Sequence, residues 1–129
     1  MNFFQRRKIL KAVNYLDLVP VRMLEYKIME DKVDLLLPRF QNNFWRNAYR
    51  NSKKGEHIYI HLDKKGSIIW QSIDGMIDVK GICNKMAREH EELFKPLDET
   101  ETRVTQFLSL LYRERYISFT QILDKTVPD

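Results

Sequence analysis

The pattern between residues 57 and 82 constrains the fold more than any other part of the chain. Apolar and polar residues alternate over its first six positions, which predicts a half-buried strand with Ile58 and Ile60 on its core face. Asp63 then stands where a helix N-cap belongs, and apolar residues recur after it with helical spacing as far as Ile73. This stretch therefore predicts a strand that is joined to a helix with almost no loop.

A turn and a second helix are predicted next. Asp74-Gly75 should end the first helix, because glycine tolerates the left-handed conformation of a helix C-terminus. Asp78 should cap the second helix. The apolar face of that helix consists of Val79, Ile82, Cys83 and Met86.

The last predicted helix follows Pro96, where Asp98 and Glu101 form a D-x-x-E capping box. Its predicted core face consists of Val104, Phe107, Leu108 and Leu111. A flanking stripe on the same helix consists of Arg103, Gln106, Leu110 and Arg113. Residues 116–123 are predicted to form a short strand after it.

The N-terminal half predicts a hairpin. Residues 21–29 and 32–37 have strand composition and flank Glu30-Asp31, and Pro38 should break the second strand. Together with the strand at residues 57–62, this gives an α+β, winged-helix-like domain in which a three-stranded antiparallel sheet precedes three helices. The predicted division is a basic N-terminal segment at 1–17, the domain at 18–123 with an inserted loop or short helix at 41–56, and a tail at 124–129.

Charge and length exclude several classes of protein. The net charge of +4 is carried entirely by the four basic residues within residues 1–11, so the rest of the chain is balanced. A nucleic-acid-binding domain normally carries its basic excess on the folded surface that reads the nucleic acid. No apolar run approaches the roughly 18 residues of a membrane span. The single cysteine, Cys83, excludes an internal disulfide and suits the reducing cytoplasm.

No group of residues predicts catalysis or metal binding. His57 and His61 have the spacing H-x-x-x-H, but four residues of strand separate them by about 13 Å, too far for one ion. Cys83 lies on an apolar helix face, and Trp70 shares the helical spacing of core residues. The sequence therefore predicts a protein without enzymatic activity, metal or cofactor.

One family has this arrangement of residues. The chain resembles the PqqD family, which consists of stand-alone peptide-recognition elements of ribosomal peptide modification pathways. The resemblance covers roughly residues 18–119 and has two departures: Arg115 stands where the family often has glycine, and the segment at 41–56 is long. The matching residues are Leu62-Asp63, Trp70, Asp74-Gly75, Val79, Ile82, Val104, Phe107, Leu108, Leu111 and Tyr116-Ile117.

The resemblance implies a peptide chaperone. The leader of a precursor peptide would add as a strand beside the strand at residues 57–62 and pack against the last helix. The protein would then present the peptide to a modifying enzyme, which the family implies is a radical S-adenosylmethionine enzyme. The matching peptide-binding residues are His57, Ile58, Tyr59, Ile60, His61, Arg103, Gln106, Leu110 and Arg113.

The sequence leaves alternatives open for the edge of the third strand and for the function of the protein. The edge of the third strand could be covered by the protein's own N-terminus or by a second copy, which leaves a homodimer open. A rival is a winged-helix nucleic-acid binder that uses the last two helices as a helix-turn-helix, with Arg103, Gln106 and Arg113 as contacts. Against it, the acidic Glu99, Glu101 and Glu114 lie on the same helix. A third alternative is a scaffold that has lost the peptide role.

Overall fold

The computed structural model describes residues 14–38, 57–94 and 97–126. The basic residues 1–13, the segment 39–56 and the last three residues of the predicted tail lie outside the described residues. The chain divides into two compact units, one formed by Leu24–Ser67 and the other by Met1–Met23 with Ile68–Asp129. The predicted division at residues 17 and 123 stays a prediction.

The described residues confirm the predicted fold class, an α+β chain in which a three-stranded antiparallel sheet is followed by helices. A short 3-10 helix, Tyr15–Asp17, precedes the first strand. The elements are β1 (Pro20–Arg22), β2 (Glu25–Met29), β3 (Lys32–Pro38), β4 (His57–His61), α1 (Lys64–Ser72), α2 (Val79–Glu89), α3 (Leu97–Arg113), β5 (Ile117–Phe119) and α4 (Thr120–Thr126).

The unit Leu24–Ser67 contains the sheet, in the order β2-β3-β4 with antiparallel neighbours. Its hairpin turns at Glu30-Asp31, as predicted, between the paired residues Met29 and Lys32. The predicted strand at 21–29 is two strands, because residues 20–22 pair with β5 rather than with β3. Val33 and Leu35 are fully buried on the central strand.

A buried serine joins the sheet to the first helix. The N–H of Leu62 donates to the carbonyl of Val33 at 3.0 Å. The N–H of Val33 donates instead to the hydroxyl of Ser67 at 2.8 Å, and that hydroxyl donates to the carbonyl of Leu62 at 3.3 Å. The side chain of Asp63 accepts the N–H of Gly66 at 2.7 Å, which confirms Asp63 as the N-cap. The ladder therefore ends where the helix begins.

The core of the other unit is built from the predicted helix faces. All four predicted residues of α2 are fully buried. On α3 the buried stripe runs through Thr100, Val104, Leu108 and Leu111. Phe107 is partly buried at the margin of that stripe. Trp70 is fully buried, as predicted.

Two boundaries differ from the predictions. Helix α3 begins at Leu97, one residue before the predicted cap Asp98, and the side chain of Asp98 lies outside what the structure describes. The strand predicted at 116–123 is limited to β5, because its partner β1 begins at Pro20, which pairs with Phe119. The chain then continues as α4, where the side chain of Gln121 accepts the N–H of Val19 at 3.1 Å.

The turn between α1 and α2 is held by Asp74, as predicted. Its Oδ1 accepts the N–H groups of Met76 at 2.8 Å and Ile77 at 2.9 Å, and these two bonds lower the pKa of the carboxyl. Gly75 has a φ of +78°, which glycine adopts without strain. Asp78 then caps α2 by accepting the N–H of Gly81 at 2.7 Å.

We expect Asp74→Ala to lower the free energy of unfolding by about 0.5–1 kcal/mol at pH 7, a modest loss because the carboxylate is exposed. Since the folded-state pKa is lowered, this contribution is present above the ordinary value of 3.8 and disappears as the pH falls through the folded-state pKa. Chemical denaturation at several pH values measures it. Asp74→Asn is the control, because it keeps the acceptor oxygen and should lose less, and a deficit that stays constant down to pH 2 would contradict the expectation.

Helix α3 ends in a Schellman motif that uses Arg115 instead of glycine. The N–H of Tyr116 donates to the carbonyl of Leu111 at 2.8 Å. The N–H of Arg115 donates to the carbonyl of Tyr112 at 3.0 Å. Arg115 has a φ of +68°, in the left-handed region that favours glycine. This departure from the family pattern therefore keeps the turn and adds backbone strain.

We expect Arg115→Gly to raise the free energy of unfolding by about 0.5–1 kcal/mol. The substitution removes the strain of the left-handed conformation, and the greater entropy of glycine in the unfolded chain offsets part of that gain. Arg115→Val is the matched opposite, because a β-branched side chain is least tolerated at positive φ, and it should destabilise the protein. Urea denaturation of both variants checks this, and a destabilising Arg115→Gly would show that the arginine side chain holds the turn.

Candidate functional site

Strand β4 lies at the edge of the described sheet. It pairs with β3 on one side, and no strand among the described residues pairs with its other side. An edge strand presents unpaired N–H and C=O groups that can bond to another extended chain.

The register shows which groups of β4 face β3. In an antiparallel ladder, bonded and non-bonded residue pairs alternate. Val33 and Leu62 lie one step beyond the last ladder pair, and the N–H of Leu62 donates to Val33, so this pair is a bonded one. Counting back along the register, Ile60 and Ile58 are therefore the residues of β4 whose N–H and C=O groups face β3.

The remaining residues of β4 point the other way. His57, Tyr59 and His61 occupy the non-bonded positions, so their backbone N–H and C=O groups point away from β3. We call these three the outward residues of β4. The position of Pro38 agrees with this assignment, because Pro38 has no N–H and lies opposite His57 in a non-bonded pair. The sequence alone could not have given this assignment.

One outward residue is held by an aspartate that the sequence analysis missed. His61 and Asp34 are directly opposite in the ladder, and Nδ1 of His61 lies 2.6 Å from Oδ1 of Asp34. The side chain of Asp34 is 11 % exposed, whereas that of His61 is 76 % exposed. The distance between the two atoms is that of a hydrogen bond between the side chains. The signal in the sequence was an acid within the apolar run of residues 33–37.

A second outward residue is held by a lysine from β2. The Nζ of Lys27 lies 4.5 Å from the centroid of the Tyr59 ring, a distance at which the ring attracts a cation. The side chains of Tyr59 and His61 are thus both fixed by contacts to neighbouring strands. The phenol is nevertheless 48 % exposed, which leaves much of it available for a ligand.

The apolar residues of β4 are less buried than predicted. Ile60 is half-buried and Ile58 is 43 % exposed, so Ile58 does not belong to the core face that the alternation predicted. The cause is its place in the ladder, opposite Leu37 near the end of β3, where the partner strand itself is only half-buried.

The predicted helix residues are all exposed on α3. We call Arg103, Gln106, Leu110 and Arg113 the exposed stripe of α3. Leu110 is 43 % exposed, and Arg103 and Gln106 line a shallow cleft together with Glu99 and Thr102. Glu99 and Glu114 lie on the same helix, but within the described residues neither arginine of the stripe forms an ion pair with them.

A different stripe of α3 is covered by the protein's own chain. The hydroxyl of Ser109 donates to the hydroxyl of Tyr15 at 2.9 Å, and the hydroxyl of Tyr15 lies 3.5 Å from the carbonyl oxygen of Thr105. The rings of Tyr15 and Phe119 meet edge to face with centroids 5.9 Å apart. Residues 14–22 thus pack on α3 and β5 and leave the exposed stripe of α3 uncovered.

The structure therefore brings the predicted site residues together in two sets. His57 to His61 lie on β4 in the unit Leu24–Ser67. The exposed stripe of α3 lies in the other unit.

The remaining candidates have structural roles. Burial, aided by the charge of Glu101, raises the pKa of the Cys83 thiol to about 11, so the thiol is protonated at neutral pH and is a poor nucleophile.

Among the described residues no three histidine, cysteine or acidic side chains cluster as metal ligands would. None of the described helices has the length and apolar character to cross a membrane.

A comparison with family models gives one match. The family described as coenzyme PQQ synthesis protein D (PqqD) matches residues 51–117, more than half of the chain. The chain belongs to the PqqD family. The matched range contains β4, α1, α2 and α3, so it includes both sets of site residues. By its description, the family takes part in the synthesis of coenzyme PQQ. Neither the curated proteins nor the solved structures contain a match to this chain.

The exposed stripe and the core of α3 should respond differently to mutation. We expect Leu110→Asp to change the free energy of unfolding by no more than about 0.5 kcal/mol, because Leu110 lies off the buried stripe. Leu108→Ala should cost about 2–5 kcal/mol, as the truncation of a fully buried leucine does. Thermal and urea denaturation compare the two, and an unfolded Leu110→Asp variant would mean that Leu110 is a core residue.

Proposed function

We propose that this PqqD-family protein binds the leader of a ribosomal precursor peptide by strand addition at β4 and presents it to a modifying enzyme. The observation that carries the proposal is the edge of β4 that no described strand covers, whose outward residues lie within the part of the chain that matches the family. Main-chain hydrogen bonds would supply affinity, and the side chains along the edge would supply specificity.

The composition of β4 supports this use of its edge. Natural edge strands are usually protected from pairing by lysine, proline, a bulge or an inward-pointing charge. Residues 57–61 contain no proline, lysine, arginine or acidic residue. The edge therefore lacks the usual protection against an added strand, which is expected of a strand whose task is to be paired.

The family resemblance also implies a contact between the leader and the exposed stripe of α3, and we include that stripe in the proposal for this reason. Arg103 and Arg113 have no carboxylate partner among the described residues, so both guanidinium groups are available to acidic leader residues. Leu110 would give the same peptide an apolar contact between them.

The partner in this proposal performs the chemistry. We propose a radical S-adenosylmethionine enzyme, because the family implies one, and a cytoplasmic location, where a single reduced cysteine is expected. The proposed contact with the enzyme involves the aromatic residues Trp45 and Tyr49, which lie outside the described residues.

The nucleic-acid alternative receives no support from the exposed surface of α3. Glu99 and Glu114 are exposed on the same helix as Arg103 and Arg113. Carboxylates at those positions would repel the phosphates that any such complex must contact. Peptide binding is the function that the described surface favours.

Hydrogen exchange tests strand addition residue by residue. The probe is a set of synthetic peptides that represent the short reading frames beside this protein's gene, with scrambled peptides as controls. When a leader binds, the amides of the outward residues His57, Tyr59 and His61 should exchange more slowly. The amides of Ile58 and Ile60 should change little, because they already bond to β3.

Other outcomes would contradict parts of the proposal. Protection of consecutive peptide amides, with β4 unchanged, would mean that the leader binds as a helix. Protection of Ile58 and Ile60 instead of the outward residues would refute the register on which the site is built. Failure of every neighbouring peptide to bind would favour a scaffold without the peptide role.

A further inference from the structure

The open strand has a palindromic sequence. Residues 57–61 are His-Ile-Tyr-Ile-His, which is the same in both directions about Tyr59. Two copies that pair antiparallel about Tyr59 would place Tyr59 opposite Tyr59 and Ile58 opposite Ile60 of the second copy. We propose that β4 pairs in this way with β4 of a second copy, and that this twofold dimer competes with peptide for the edge.

The direction of the backbone groups suits this register. The outward residues of β4 are His57, Tyr59 and His61, and a pairing centred on Tyr59 places each of them opposite another outward residue. Residues that lie opposite each other in bonded antiparallel pairs exchange both of their hydrogen bonds. This register therefore satisfies the N–H and C=O groups of all three outward residues, with no group of the strand left over.

The side chains agree with the backbone. Ile58 is 43 % exposed and Tyr59 is 48 % exposed, so both have surface to bury. Cross-strand pairs of aromatic and of β-branched residues are among the stabilising ones. The strand carries no lysine, arginine or acidic residue, so no like charges oppose each other on the axis. The charged groups beside it, Lys27 and Asp34, are already engaged with Tyr59 and His61.

The size of the contact indicates a weak dimer. Stable interfaces bury about 1,200–2,000 Å² in total, more than a pair of five-residue strands can provide. A weak contact suits a competitor, because a peptide with further contacts to the protein can displace it. Twofold symmetry also closes the assembly, since each copy uses its one open β4 edge, and this limits edge-to-edge aggregation. The inference rests on the open edge of β4 and not on the peptide function.

A charge-swap experiment on the full chain tests the symmetry. Tyr59 would lie on the twofold axis and face its own copy, so Tyr59→Lys and Tyr59→Glu each place like charges opposite each other. Sedimentation velocity over a range of concentrations should show that self-association weakens by roughly tenfold in each variant. An equimolar mixture of the two variants should recover the association, because unlike charges then meet on the axis.

Controls separate this result from unfolding. Tyr59→Phe keeps the ring and should associate as the wild type does, and circular dichroism should show that all variants fold alike. A wild type that stays monomeric at millimolar concentration would overturn the proposal. So would charged variants that associate as strongly as the wild type, or a mixture that associates no better than its components.

Peptide titration distinguishes this proposal from the proposed function. A leader peptide that binds at the edge should dissociate the dimer, and a dimer that persists with peptide bound would show that association uses another surface. If no peptide binds, the charge-swap experiment still decides the dimer by itself.

Discussion

The hydroxyl of Ser67 is the interaction on which the arrangement of the candidate site depends. It is buried between Val33 and Leu62, where it accepts a hydrogen bond from the N–H of Val33 and donates one to the carbonyl of Leu62. It thereby ends the β3–β4 ladder at a bonded pair, two residues before α1 begins at Lys64. Because hydrogen bonding alternates strictly along a strand, this single end point determines which residues of β4 face outward.

The same register explains why two outward side chains are well held. Asp34 and His61 are opposite each other because the ladder places them so, and Lys27 reaches Tyr59 from the far strand of the sheet. A carboxylate that is almost removed from water needs a donor, and His61 supplies one. The outward side of β4 is therefore ordered by the sheet, which would reduce the entropy that the proposed binding must overcome.

Local chemistry made part of this fold predictable from the sequence. Asp63, Asp74 and Asp78 were assigned correctly, because a cap depends on a side chain and on the few backbone groups next to it in the chain. The buried face of α2 follows from its periodicity. The end of β5 and the contact of Asp34 with His61 depend on residues far apart in the chain, so no local pattern encodes them. The burial of Ile58 could not be predicted either, because alternation predicts which face a side chain lies on but not how deeply that part of the partner strand is buried.

An open, uncharged edge strand is a liability for most proteins, and its presence here needs a physical reason. A strand that accepts a peptide is weakened by the lysine or proline that would protect it, since an added strand would have to cover the charge of lysine and proline has no N–H to bond. Pairing with a second copy offers protection of another kind, because it covers the edge reversibly and leaves its chemistry intact. A twofold axis at Tyr59 makes the pairing symmetric for any sequence, and the palindrome adds that each residue meets one of its own type in the second copy. Protection and recognition would then use the same three outward residues, and the concentration of peptide would decide between them.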